Sequence, residues 1–217
     1  MNRRKIIWIW GLLTLVVSGV QAQAPTSGPF FVELGLKSSF LNAPDKVIPF
    51  IGGGLTVGIR LTPHGYVTAG ISFGGSLNDE QIGSFEYEKT VTSDGHTTTT
   101  YHDDGEINRA YNSVTLLAGW QWEALLLKGA CAFSVGPYVG LDWLKPDISY
   151  VPTPDNQPDT EDIALATMGV FGLGAGFRVK AVKLEYRFLL HTSPTIMDEK
   201  WELPMSHHIV VSFHAPW

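Results

Sequence analysis

From residue 29 onward apolar and polar residues alternate with a period of two, in eight separate runs. In residues 30–40, Phe30, Val32, Leu34 and Leu36 fall on one face, and Phe31, Glu33, Gly35, Lys37 and Ser39 on the other. Residues 50–61 set Ile51, Leu55, Val57, Ile59 and Leu61 against Gly52, Gly54, Thr56, Gly58 and Arg60. The alternation recurs in residues 66–75, 111–122, 131–143, 165–179 and 182–191, and in the final "SHHIVVSFHAPW". Successive side chains of a strand point to opposite faces, so these runs are predicted strands. An ordinary strand has about five or six residues, whereas about ten tilted residues cross a bilayer. The runs have the longer dimension.

The connections alternate too. Those at residues 41–49, 76–110, 144–164 and 192–205 are long, and those at 62–65, 123–130 and 180–181 are short. This predicts an all-β, eight-stranded antiparallel up-and-down transmembrane barrel with short periplasmic turns and long extracellular loops. Seventeen of the 21 acidic residues lie in the long connections, while Lys128, Lys180 and Lys183 sit at or beside the short ones. Within 76–110, two threonine- and aromatic-rich runs flank "SDG", a hairpin signal that predicts a ribbon turning near Asp94 and Gly95.

Composition narrows the setting. Arg3, Arg4 and Lys5 precede an apolar run at residues 6–17 and the small-residue site "VQA". Residues 1–22 are therefore a predicted signal peptide, leaving 23–217 as the barrel. Without the leader's three cations the formal charge falls from −6 to −9, which excludes a nucleic-acid partner. Cys131 is the one cysteine, so no internal disulfide supports the fold.

Such a sheet closes in one of two ways. A secreted soluble calyx for a small apolar ligand turns its large apolar residues inward. A membrane barrel turns them to lipid. The polar face is rich in glycine and small hydroxyls, and the apolar face carries aromatics at both ends. Trp122, Phe177 and Trp217 lie at the periplasmic end; Phe73, Trp143 and Phe188 lie at the outer end, as interfacial girdles do. The membrane barrel is the reading the pattern favours. Eight strands leave a lumen just filled by side chains and no aqueous channel. That places Glu33, Lys37, Arg60, Arg178, Glu185 and Arg187 inside as a charge network, where buried charges must be paired. The expected pairs are Glu33 with Arg60, and Glu185 with Arg178 or Arg187.

The leader, eight alternating strands, short inner turns, long outer loops and terminal aromatic strand resemble the small outer-membrane β-barrels of the OmpA/OmpX type. The glycine-rich strands and acidic loops look most like the outer-membrane β-barrel group of Bacteroidota-like bacteria. The resemblance covers essentially all of residues 23–217. It implies bacterial outer-membrane localisation, contact with outer-membrane lipids and lipopolysaccharide, and a structural or surface-interaction role. Loops 76–110 and 144–164 would then meet an extracellular ligand. It also implies that a strand with Ile209, Val211, Phe213 and Trp217 on one face is read by the barrel-assembly machinery. Trp217 in place of a terminal phenylalanine, and Pro216 beside it, depart from that pattern.

Candidate chemistry is sparse, and no catalytic, cofactor or metal site is expected. "LLHTSP" places His191 and Ser193 two apart, on one strand face, where eight-stranded lipid A deacylases carry a similar pair. Pro194 departs from that family, and parity turns His191 to the lumen. The residues fit a polar strand end better than an esterase. "YHDDGE" has oxygen ligands suited to calcium, but in this acidic loop reads as a solvated turn. Adjacent strand residues point apart, so His207 and His208 do not share a metal.

Overall fold

A computed structural model describes residues 29–44, 46–93, 97–127, 130–151, 165–196 and 199–217. The predicted signal peptide and the ribbon turn at Asp94 and Gly95 lie outside them. The strands are β1 (Phe30–Asn42), β2 (Val47–Thr62), β3 (Gly65–Ser76), β4 (Glu80–Ser93), β5 (Thr97–Leu126) and β6 (Cys131–Val151). Then come β7 (Ala166–Val179), β8 (Val182–His191), the two-residue β9 (Thr195–Ile196) and β10 (Glu199–Lys200), and β11 (Met205–Pro216). No helix among the described residues is long and apolar enough to cross a membrane.

Eight strands form a closed antiparallel ring. Each of β1, β2, β3, β5, β6, β7, β8 and β11 pairs with its neighbour, and β11 returns to β1. Closure removes every edge within the ring, the condition for a sheet to sit in lipid. The seven ring strands expected from residues 30–191 appear at their predicted places, and the closing strand runs to Pro216 without stopping short. Pro216 lies opposite Phe31, and the Trp217 N–H donates to the Phe30 carbonyl at 2.8 Å.

The exterior is apolar. Leu34, Val67, Phe73, Val139, Leu173 and Leu184 are all exposed, while Glu33, Lys37, Arg178, Glu185 and Arg187 are each less than 7% exposed. The soluble-calyx alternative requires the reverse and is overturned. Trp122, Phe177 and Trp217 stand exposed near the short turns, and Phe73 near the long loops. Trp143 and Phe188 are half-buried at the outer level.

Two elements run further than expected. β6 continues to Val151 through residues that read as loop, still paired with β5 from Ser113↔Leu144 to Glu106↔Val151. β4 pairs with the outer half of β5 from Glu80↔Arg109 to Ser93↔Thr97, which is the predicted ribbon. The fourth long connection folds back on the barrel. Its β9–β10 hairpin drives Ile196 and Trp201, 3% and 1% exposed, into a cluster with Leu41, Ile48, Phe50, Tyr111, Leu144 and Met168. This apolar cap closes the outer mouth.

Candidate functional site

The lumen is layered. At the periplasmic end Phe31 packs edge-on to Tyr66, with ring centroids 5.1 Å apart, and against His214 at 4.7 Å. Gly58, opposite Phe31 in register, gives the ring its place: a Cβ there would lie 2.2 Å from the Phe31 ring. Arg60 donates to the Tyr66 hydroxyl from Nε at 3.1 Å and from Nη2 at 2.5 Å. Arg178 pairs with Glu123 at 3.2 Å and donates to the Lys180 carbonyl at 3.1 Å.

Above this lies a continuous ion network. Lys183, Glu185 and Arg187 alternate along β8, so all three point inward. Glu185 accepts from Arg187 Nε at 2.9 Å and Nη2 at 3.1 Å, from Lys183 Nζ at 3.0 Å and from the Tyr138 hydroxyl at 2.5 Å. Lys183 also reaches Glu33 at 3.2 Å and the Gln121 side-chain carbonyl at 3.2 Å. Gln121 donates in turn to the Tyr138 hydroxyl. Glu33 completes the chain through His214 Nδ1 at 2.9 Å. Gly174 makes room for the tyrosine, since a Cβ there would stand 2.6 Å from the Tyr138 ring. Every charge here has an opposite charge in contact, as burial demands.

Five of the six expected lumen residues are buried inside, and the sixth, Arg60, is half-buried at the periplasmic rim. The Glu185–Arg187 pair forms as expected. The Glu33–Arg60 pair does not. Glu33 lies opposite Thr56, which leaves Arg60 four residues further along β2, about 13 Å away at the rise of a strand. Lys183 and His214 take its place. They share the inward parity, but only the ring closure of β11 on β1 and β8 brings them to Glu33.

Outward of the network, Lys37 donates to Ser72 Oγ at 3.0 Å and Thr115 Oγ1 at 3.4 Å. Thr115 donates to Asp142 Oδ1 at 2.9 Å. The other Asp142 oxygen faces His191 Nδ1 at 3.6 Å. His191 Nε2 meets Ser206 Oγ at 2.7 Å, and Ser206 meets His208 Nε2 at 2.8 Å.

The His191–Ser193 dyad is therefore absent. β8 ends at His191, and the chain then turns into the cap, so the i, i+2 parity fails. Ser193 is exposed and accepts the Leu203 N–H at 3.1 Å. His191 instead turns into the sealed lumen, away from lipid. His207 and His208 separate as expected. His207 lies outside, with Nδ1 2.6 Å from the Tyr186 hydroxyl, and His208 is 3% exposed inside. In the "YHDDGE" loop, Asp103 accepts the Tyr87 hydroxyl at 3.3 Å and the Asp104 N–H at 3.0 Å, the contacts of a structured polar strand.

At the outer rim, Glu80 is held by Lys46 and by Arg109 Nη2 at 2.8 Å. Burial opposes its charged form, but those two cations outweigh it, and its carboxyl sits below the usual glutamate range.

No protein-family model matches the chain, and no curated protein matches it in sequence. Solved structures do. Neisserial surface protein A (NspA) is 9% identical with a TM-score of 0.54, covering 89% of this chain and 100% of its own. Ail, the attachment invasion locus protein of Yersinia pestis, is 10% identical with a TM-score of 0.46, covering 88% of this chain and 100% of its own. The N-terminal β-barrel domain of Pseudomonas aeruginosa OprF is 14% identical at 0.41, with coverages of 88% and 100%. The match to NspA, which alone of the three exceeds 0.5, shows the fold, an antiparallel β-barrel like that of the small outer-membrane proteins.

Proposed function

We propose that the chain is a non-enzymatic protein of the bacterial outer membrane whose barrel anchors an acidic sheet outside the cell, and that this sheet meets extracellular partners. The observation that carries the reading is β4. It pairs with β5 along one side, and no described strand pairs with its other edge. With β5 it makes a two-stranded ribbon beyond the ring, flanked at its base by the outer end of β6 across Glu106–Arg109, with about 45 Å of strand in β4 alone. An unpaired edge offers backbone donors and acceptors to an added strand.

Side chains specify what would add there. Glu86, Asp103, Asp104 and Glu106 are exposed on the sheet. Phe85 packs against Tyr87 and Tyr150, with ring centroids 6.0 and 5.6 Å apart. Acidic rims beside aromatic rings suit an extended segment carrying lysine or arginine between apolar residues. The sealed, ion-paired lumen supports an anchoring role over a channel. The apolar exterior contacts outer-membrane lipid and lipopolysaccharide, and the strand bearing Ile209, Val211, Phe213 and Trp217 serves assembly.

The test is a variant in which residues 80–108 are replaced by a two-residue Asn-Gly turn. In detergent it keeps the heat-modifiable gel migration of a folded barrel. Binding of an alternating lysine–valine peptide, measured by fluorescence anisotropy, is lost. Equal peptide binding by both proteins would refute the reading.

A further inference from the structure

Two buried histidines meet on one serine beneath the cap. Ser206 Oγ lies 2.7 Å from His191 Nε2 and 2.8 Å from His208 Nε2, and both rings are shut off from solvent. Asp142 sets the direction of the chain. Its Oδ2 faces His191 Nδ1 at 3.6 Å, so that nitrogen carries the proton and His191 Nε2 accepts from Ser206. The serine has one proton to give, so it accepts from His208 Nε2–H. His208 Nδ1 is then a bare lone pair, buried without a hydrogen-bond partner. The chain needs neutral rings. With both protonated, two N–H donors would aim at one oxygen and the serine hydrogen would lose its acceptor.

The surroundings give such protons no counter-charge. Lys37 of β1 and Asp142 of β6 both bond Thr115 of β5 and balance each other, as Lys183 and Arg187 balance Glu33 and Glu185 further in. Arg187 of β8 lies opposite His208 in register and is a further cation. β5 also contributes the Ser113 hydroxyl, β2 contributes Phe50, and β7 sets Val170 opposite His191. The cavity beside His208 has room for about one water. Imidazolium rings here would be buried charges in excess of the carboxylates.

The same bridge spans the two ends of the cap. His191 closes β8, Ser206 lies at the start of β11, and the His191 N–H donates to the Pro204 carbonyl at 2.8 Å. Between them the Trp201 N–H donates to the Pro194 carbonyl at 3.0 Å, and the Leu203 N–H to Ser193 Oγ at 3.1 Å.

We propose that the His191–Ser206–His208 bridge is an acid-sensitive latch: protonation of its rings frees the β9–β10 cap from the outer mouth while the ring of strands stays closed. The latch is separate from the ribbon and its free edge. In the open cap the histidines meet water and titrate near the ordinary value, about pH 6.5. Closure is therefore fully supported above that pH and is lost progressively below it.

Hydrogen exchange on the chain folded in detergent tests this. Protection of the Trp201 and Leu203 amides, corrected for intrinsic rates, should fall between about pH 7.5 and pH 5 by roughly thirtyfold for each ring that is protonated. Amides of the ring strands should keep theirs. A chain carrying both His191→Gln and His208→Gln, which retains polar groups but cannot titrate, should lose the pH response. Lys37→Met should shrink it, because Asp142 is then free to pair with a protonated His191. Equal cap protection at the two pH values, parallel loss in cap and ring, or an undiminished response in the double variant would each overturn the proposal. Should neither variant fold, the native comparison of cap with ring still decides.

Discussion

Along β6 a single alternation changes its meaning. Up to Trp143, the polar residues point inward, as at Ser134 and Asp142, and the exposed positions are apolar, as at Val135, Val139 and Leu141. Beyond Trp143, Leu144 and Pro146 are buried while Lys145 and Asp147 are exposed. β1 changes between Ser39 and Leu41, and β5 between Ser113 and Tyr111. The strand geometry is constant; the solvent outside is not. Where hydrocarbon surrounds the wall, the outside must be apolar and the lumen carries paired charge. Where water surrounds it, the inside must supply an apolar core, and the cap around Trp201 is that core. The outer boundary of the membrane is therefore written in the sequence as an inversion of polarity within an unbroken strand.

The two kinds of interior should fail differently. Replacing Glu185 with Gln leaves Lys183 and Arg187 facing each other with Glu33 as the remaining carboxylate. Removing one partner of a buried pair costs about 3–5 kcal/mol. The whole barrel should lose urea resistance, followed by tryptophan fluorescence, and less of it should migrate as folded. An unchanged urea midpoint would mean that the network contributes nothing to the ring.

Trp201→Ala attacks the cap. Deleting a fully buried tryptophan costs ~3 kcal/mol or more, but the loss should stay local, because β9 and β10 pair with each other and not with the ring. Proteolysis of the fourth loop should accelerate while heat-modifiable migration persists. Global unfolding would show that the cap and the ring form one cooperative unit.

The boundary itself is tested on one strand with one side chain. Val139→Arg places a cation on the lipid-facing wall and should cost about 2–3 kcal/mol. Asp147→Arg, on the same side of β6 above Trp143, should stay within ~0.5 kcal/mol. Similar effects in lipid vesicles would move the boundary.

The ring was legible because a buried inside and a lipid-facing outside impose a strict period of two on long strands. Parity alone placed Glu33, Lys37, Arg178, Glu185 and Arg187 inside. Partnership was legible only within one strand, as for Glu185 with Arg187. Parity says which face a residue occupies, whereas pairing depends on stagger between strands distant in sequence, such as Glu33 with Lys183 and His214. The cap was missed for a different reason. Leu41, Tyr111 and Leu144 stand at inward positions, but the polar residues beside them read as loop, and Pro146 disguised the continuation of β6. The Asp142–His191–Ser206–His208 chain was missed because β8 ends at His191, so Ser193 never shares its face.

The smallest effect is expected at the root of the projecting sheet, where Glu80 joins Lys46 from the end of β1's loop to Arg109 on β5. Its carboxyl is depressed on folding, so the stability it adds is present above about pH 4.5, the ordinary glutamate value, and is lost as the pH falls below it. The Glu80 side chain is 38% exposed, so water screens the pair and its contribution is about 0.2–1 kcal/mol. Glu80→Gln should raise the rate at which protease cuts the ribbon at pH 7 by a small factor. At pH 3 the difference between the variant and the native chain should be smaller than at pH 7, and high salt should narrow the difference at pH 7. A ribbon that loosens in Glu80→Gln equally at both pH values would assign Glu80 a packing role and leave the ion cluster without one.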